Sequence, residues 1–413
     1  MRALPTPIIF GCFALIAACA ADKEGEPIDA DESGSSGAAS TDDSDDSSQS
    51  ETAGSGGTTT DDGGSSSGDG STGDAMQGIP VLGGYTHSLD NVDVELIVDS
   101  DLATPTDAEF NPDAPEELWI TNRGDNSVTI VTAPGTASQQ VVNKQNRVNG
   151  GDHFLAKPAA IAFGAPGLMA TAQQEDQITQ PTTPADFMGP TMWTSDSGTF
   201  EGGHNSHMDM LHNSPNSSGI AWERDNVYWV FDGAHGSLTR YDFHSDHGLG
   251  GTDHTDGEVY RAADGELTYV PGVAAHIAFD ADSSMLYSVD PGANRIVVLN
   301  TTTGQMGDPI APNYDGSIQR YVVGMELTTL VDGSAVEVEM STPSGLELHD
   351  GYLFVTDYQT SSIAAFDLDG NLVDWLDTGF PAGTLMGMEF DDDGRLYVVN
   401  STGNQLLRIS ARE

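Results

Sequence analysis

Histidines crowd one stretch of this chain: His204, His207, His212, His235, His244, His247, His254 and His276, with only His87, His153 and His349 elsewhere. Neutral imidazole is the commonest protein ligand for transition metals, and it also moves protons near neutral pH. Asp209 stands among the first three and could ligate a metal or orient a ring from behind. Three imidazoles with one open position would suit Zn²⁺ or Cu²⁺. A second acidic stretch, HSDHGLGGTDHTDGE, carries Asp246, Asp253, Asp256 and Glu258 between glycines. Oxygen ligands on a tightly turning backbone suit Ca²⁺, although the spacing is not that of an EF-hand loop. The alternative for both stretches is a pair of solvated polar insertions.

The elements that must position these groups recur. GIAWERDNVYWVFDGAHGSLTRYDF, from Gly219 to Phe243, holds a short alternating strand, an Asp/Gly turn, a second strand ending in Asp, another turn and a third strand. The pattern returns from His276, Gly345 and Gly387, with looser copies from Ala108 and Ala160. One such unit cannot bury its own apolar faces, so neighbours must stack about a common axis. The fold class is therefore all-β, a six-bladed β-propeller.

Strand polarity then sorts the histidines. His204, His207 and His212 are read as a loop entering the inner strand at Gly219, and His276 as the start of the next inner strand. They are expected to share one mouth with Asp209, and with His235 at larger radius. His244, His247 and His254 follow a third strand and are expected on the opposite face. Met386 and Met388 read as core, Trp119, Trp222 and Trp229 as blade packing, and Arg123-Gly124-Asp125 as an ordinary turn. Asp209, Asp232 and Tyr241 are the acid-base candidates nearest the histidines, without assigned roles.

Ahead of the repeats, Met1-Arg2 and the apolar run IIFGCFALIAAC have the shape of a secretory signal over 1–18. Ile16-Ala17-Ala18-Cys19 resembles a bacterial lipobox, which implies lipidation of Cys19. Residues 19–78 are dominated by Ser, Gly, Thr, Asp and Glu and are predicted to form a disordered acidic tether. The propeller then occupies 79–413, with His-rich insertions at 200–216 and 244–258. Cys12 and Cys19 are the chain's cysteines, so the mature domain has no disulfide and no thiol catalysis. A net charge of −50 with only Lys23, Lys144 and Lys157 as lysines excludes nucleic-acid binding and attraction to anionic lipid. Membrane contact is expected through the lipid anchor alone, at the outer membrane or surface of a bacterial envelope, as a monomer.

The repeat resembles the NHL propellers through Gly219-Ile220-Ala221, Val227-Tyr228-Trp229-Val230 with Asp232, Leu286–Asp290 with Asn294–Val297, and Leu396–Asn400. The resemblance spans the globular part and implies the fold more than an activity. It also implies that the segment Val92–Asp99 adds a strand to the last blade beside Asn404–Ser410, closing the ring without a free edge. Peptidyl-hydroxyglycine lyases of this type carry zinc histidines just before the inner-strand glycine. Here Ser218, Ala275, Ser344 and Met386 hold those places, and His276 is displaced by one residue. Gluconolactonase-like propellers, similar at fold level, hold Ca²⁺ at the channel bottom. Two functions follow: a binding protein for a small molecule or envelope protein with a His-held metal at its mouth, or a metal-dependent lyase or hydrolase.

Overall fold

The computed structural model describes residues 78–145, 153–176 and 187–412. The expected signal peptide, the expected lipidation site Cys19 and nearly all of the predicted tether lie outside the described residues. Six sheets form the blades of a propeller, each built around a four-stranded meander. The inner strands are Pro105–Phe110, Pro158–Phe163, Ser217–Arg224, Ile277–Asp280, Pro343–His349 and Leu385–Phe390, for blades 1 to 6. All six repeat copies coincide with them. The period-two apolar pattern is the cause, because each strand presents alternate side chains to the two neighbouring blades.

Close approach of adjacent inner strands explains the repeated glycine. A Cβ at Gly219 would lie 1.9 Å from the Ala275 carbonyl oxygen, and one at Gly345 would lie 2.2 Å from that of Met386. Backbone hydrogen bonds cross the same gaps: Ala275 N donates to Ser218 O at 2.9 Å, and His276 N to Ser344 O at 2.9 Å. Apolar layers fill the rest of each interface, with Trp119, Trp193 and Trp229 fully buried. The ring closes as predicted. Val92–Val98 pairs antiparallel with Gln405–Ala411, in the register Val94 to Ile409, and completes blade 6. Arg412 ties the closure by donating from Nε to Asp93 Oδ1 at 2.9 Å.

Two features depart from the sequence reading. His207–Met210 is the outer strand of blade 2, paired with Thr191–Thr194, rather than part of a loop. Only residues 211–216 then connect it to the inner strand of blade 3. In addition, the connection between the third and outer strands of blade 4 forms a hairpin, Gln305–Pro309 with Ile318–Val323. It leaves its own blade and pairs in parallel with the outer strand of blade 3, Glu258–Ala262, making a six-stranded sheet. The third-to-outer-strand insertion of blade 3, residues 243–257, is mostly irregular backbone.

Candidate functional site: an acidic half-channel and a histidine cluster

Superposing the six inner strands by register gives DAEF, IAF, IAW, IAF, LEL and MEF. The position before the last aromatic or leucine is Glu109, Ala162, Ala221, Ala278, Glu347 and Glu389 in blades 1 to 6. Glutamate therefore occupies three consecutive blades (5, 6 and 1) and alanine the other three. These residues, with Asp107 and His276, line a cavity of about 250 Å³ in the propeller channel. No Lys or Arg is among its lining residues. Its far half is apolar, with Phe163, Trp222 and Phe279 beside the alanines.

Burial dominates the electrostatics of the acidic half. It raises the Glu347 carboxyl to about 8, helped by Asp107 nearby. Glu109 and Glu389 are pushed well above the ordinary carboxylate range, first by burial and then by the other channel acids. Asp107 is also raised by burial, against the pull of His276. Its Oδ2 accepts from Ile161 N at 2.9 Å and its Oδ1 from Ala108 N at 2.9 Å. His276 Nδ1 lies 3.5 Å from Asp107 Oδ1. A Cβ on Gly387 would come within 2.5 Å of Asp107 Oδ1 and 2.8 Å of the His276 ring, so that glycine makes room for the pair. Burial and the crowding of like charges both favour the protonated forms of these acids. Among the described residues, the carboxylate groups of the channel do not form a set of three within ion-binding reach of one another.

The histidines sort differently from the expectation. His276 stands in the channel beside Asp107. His235 is engaged by Asp232, Nδ1 to Oδ2 at 2.8 Å. His204 and His207 meet the second insertion on the same side of the molecule. Ring centroids are 5.0 Å apart for His204 and His207, 4.9 Å for His207 and His247, and 5.2 Å for His247 and His254. The cause is the outer strand of blade 2: it carries His207 and His204 back to the face where the blade 3 insertion emerges. His212 sits at the edge of the cluster, 6.2 Å from His254, and its Nδ1 is bonded to Asp315 from the blade 4 hairpin.

Asp209 is central to this cluster. Its Oδ1 lies 2.7 Å from His254 Nδ1 and 3.9 Å from His247 Nε2. Burial raises the Asp209 carboxyl, opposed by the hydrogen bond and charge of His254. For His254 burial works toward the neutral ring, and Asp209 outweighs it, so the imidazole is raised. His207 is lowered to about 4 by burial, against its bond to the His204 carbonyl and with repulsion from His247. The expected calcium ligands do not converge. Asp246 caps Gly248 N, Asp253 caps Thr255, and Asp256 accepts from Ser245 N at 3.3 Å. Glu258 instead lies with Asp242 and the exposed His244 in a separate surface group. Short Asx-type turns engage Asp246 and Asp253 locally, and Asp256 reaches back across the insertion to Ser245, so the glycine-rich spacing does not bring the four carboxylates together.

Met386 and Met388 are buried as expected, whereas Trp222 is 41% exposed and lines the channel instead of packing a blade. Asp232 and Tyr241, the other acid-base candidates, are buried in blade 3. The channel carboxylates went unnoticed because each sits alone in its repeat. Aligning the six copies column by column would have exposed them.

No family model matches the chain, and no curated protein matches it. Crystal structures do. A protein of unknown function from Bacteroides thetaiotaomicron VPI-5482 aligns at 11% identity over 77% of this chain and 76% of that one, with a TM-score of 0.51. An auxiliary nutrient binding protein from Bacteroides ovatus ATCC 8483 aligns at 12% identity over 78% and 77%, TM-score 0.49. Virginiamycin B lyase from Staphylococcus aureus aligns at 12% identity over 78% and 99%, TM-score 0.45. At these identities the likeness shows the fold alone. The chain is a six-bladed β-propeller.

Proposed function

We propose that this propeller is a binding protein of the bacterial cell envelope, and that its ligand is a small organic cation with an apolar body. The observation that carries this is the division of the channel wall. Glu109, Glu347 and Glu389 with Asp107 form one half, and Ala162, Ala221, Ala278, Phe163, Trp222 and Phe279 the other. A cavity of about 250 Å³ falls just below the usual range for ligand pockets, so the ligand is small. An ammonium group set among the carboxylates would let them ionise, and the indole of Trp222 offers a cation–π or stacking face. A bare metal ion suits this wall less well, since its oxygens are too dispersed to coordinate one. Cys19 and the acidic N-terminal stretch support tethering to a membrane.

A second reading, a lyase or hydrolase, is favoured by Glu347, whose raised pKa of about 8 would keep it protonated as a general acid at neutral pH.

The test is titration calorimetry with a primary arylalkylamine, its neutral alcohol and its carboxylic acid. A charge-assisted contact contributes about 1.5–3 kcal/mol, so the amine should bind at least about tenfold more tightly than the alcohol. A Glu347→Gln/Glu389→Gln variant should lose that preference. Equal binding of amine and alcohol, or preference for the acid, would overturn the proposal. Chemical change of the ligand during titration would favour the enzymatic reading.

A further inference from the structure

We propose that Asp209, His247 and His254, with His207 beside them, form a transition-metal site that clamps the blade 3 insertion to the outer strand of blade 2. One ligand atom from each of Asp209, His247 and His254 lies within 4.8 Å of the others, a separation that one ion can bridge. Two buried polar atoms point to a missing partner. His247 Nε2 and Asp209 Oδ2 are buried and make no hydrogen bond. Their side chains are 5% and 1% exposed, so each leaves a polar atom away from solvent at a cost that a metal would remove.

The groups that orient the imidazoles are also in place. His247 Nδ1 is 2.7 Å from the Gly248 carbonyl, which fixes the tautomer and leaves Nε2 with its lone pair toward Asp209. His207 is arranged the same way, with Nδ1 held by the His204 carbonyl and the ring edge-on to His247. Two or three imidazoles and one carboxylate form a mixed nitrogen and oxygen set. Such a set selects Zn²⁺ or a neighbouring transition metal over Ca²⁺, which requires oxygen ligands.

With the buried His207 as a fourth ligand the coordination is complete, hence a structural clamp rather than a hydrolytic centre. The insertion already docks by backbone bonds, His247 N to Met208 O at 3.1 Å and Gly250 N to His207 O at 2.9 Å. A metal would fix that docking in a domain without disulfides. The site is separate from the channel, so its failure leaves the ligand proposal untouched.

Cobalt titration of the full chain, purified without a histidine tag and stripped with chelator, tests the clamp. Expected are visible absorption bands of four-coordinate Co²⁺ saturating at one equivalent, bleached by Zn²⁺. Asp209→Asn should weaken binding by about 100-fold or more, and His247→Ala/His254→Ala should abolish it. His276→Ala, His235→Ala and His244→Ala should leave it unchanged. Stripping should expose residues 244–257 to limited proteolysis, and Zn²⁺ should restore protection. A folded wild-type protein that binds neither Co²⁺ nor Zn²⁺ overturns the inference. So does metal that survives the double substitution or is lost with His244→Ala. If the double variant does not fold, wild type and the isosteric Asp209→Asn decide.

Discussion

Replacing Glu347 by Gln isolates the electrostatic strain of the channel. The folded protein holds the Glu347 proton up to about pH 8, because burial and Asp107 disfavour the anion. The unfolded chain releases it near the ordinary glutamate value of about 4.3. A folded-state pKa raised above the unfolded one contributes stability that is complete below about pH 4.3 and is lost as pH rises through about 8. Across that window each pH unit removes about 1.4 kcal/mol, which sums to on the order of 5 kcal/mol. Glutamine keeps the shape and the neutral state of the protonated acid, so the variant should escape this loss. It should also relieve Glu389, whose carboxyl is raised by burial and then by Glu347. Urea unfolding of both proteins from about pH 5 to about pH 9 reads the difference through the midpoint at constant m-value. Subtracting the two profiles cancels the self-repulsion of a chain with a net charge of −50. The variant should gain on wild type progressively as pH rises, approaching several kcal/mol by about pH 8. Parallel profiles would refute the reasoning, since they would mean that Glu347 is solvated well enough to ionise freely.

The same burial predicts linkage: amine binding to wild type should tighten from about pH 6 to about pH 8 and release protons, seen as calorimetric heats that vary with buffer ionisation enthalpy. Gly345→Ala would drive a Cβ to 2.2 Å from the Met386 carbonyl oxygen and should cost roughly 2–4 kcal/mol by thermal or urea unfolding. At the ring closure, Ile97→Ala should cost about 2–4 kcal/mol because the side chain is 7% exposed and packs with Val399 and Leu406. Asp93→Asn, which breaks only the exposed pair with Arg412, should cost less than about 1 kcal/mol and lose even that in high salt.

The blades were legible residue by residue. Val227-Tyr228-Trp229-Val230-Phe231-Asp232 announces a buried central strand, and it is one, with all six residues buried. Gly219 and Gly345 mark points where one inner strand presses on the next, while the closing strand at Val92–Val98 was legible through the likeness to NHL propellers. The histidine stretch was legible only as chemistry. Its geometry was misjudged at HMDM, four residues too polar to read as a strand, which pair with Thr191–Thr194 because blade 2 needs an outer edge. That single reassignment moves His204 and His207 to the other face of the molecule and joins the two insertions. The blade 4 hairpin gave no signal of its destination, because Gln305–Pro309 and Ile318–Val323 describe a hairpin anywhere.

By itself, then, the amino-acid order determined the all-β class and the six repeats, and its charge argues against nucleic-acid binding. These follow from periodicity, composition and charge, which act over a few neighbouring residues or over the whole chain at once. Only the tertiary structure decided which carboxylates share the channel and which imidazoles meet Asp209. Glu109 and Glu389 lie in the first and last blades and become neighbours only when the ring closes. His254 reaches Asp209 across 45 positions through an irregular insertion. Loop paths of that kind are set by weak, non-local contacts, since lengthening or rerouting a loop changes its closure entropy only slowly.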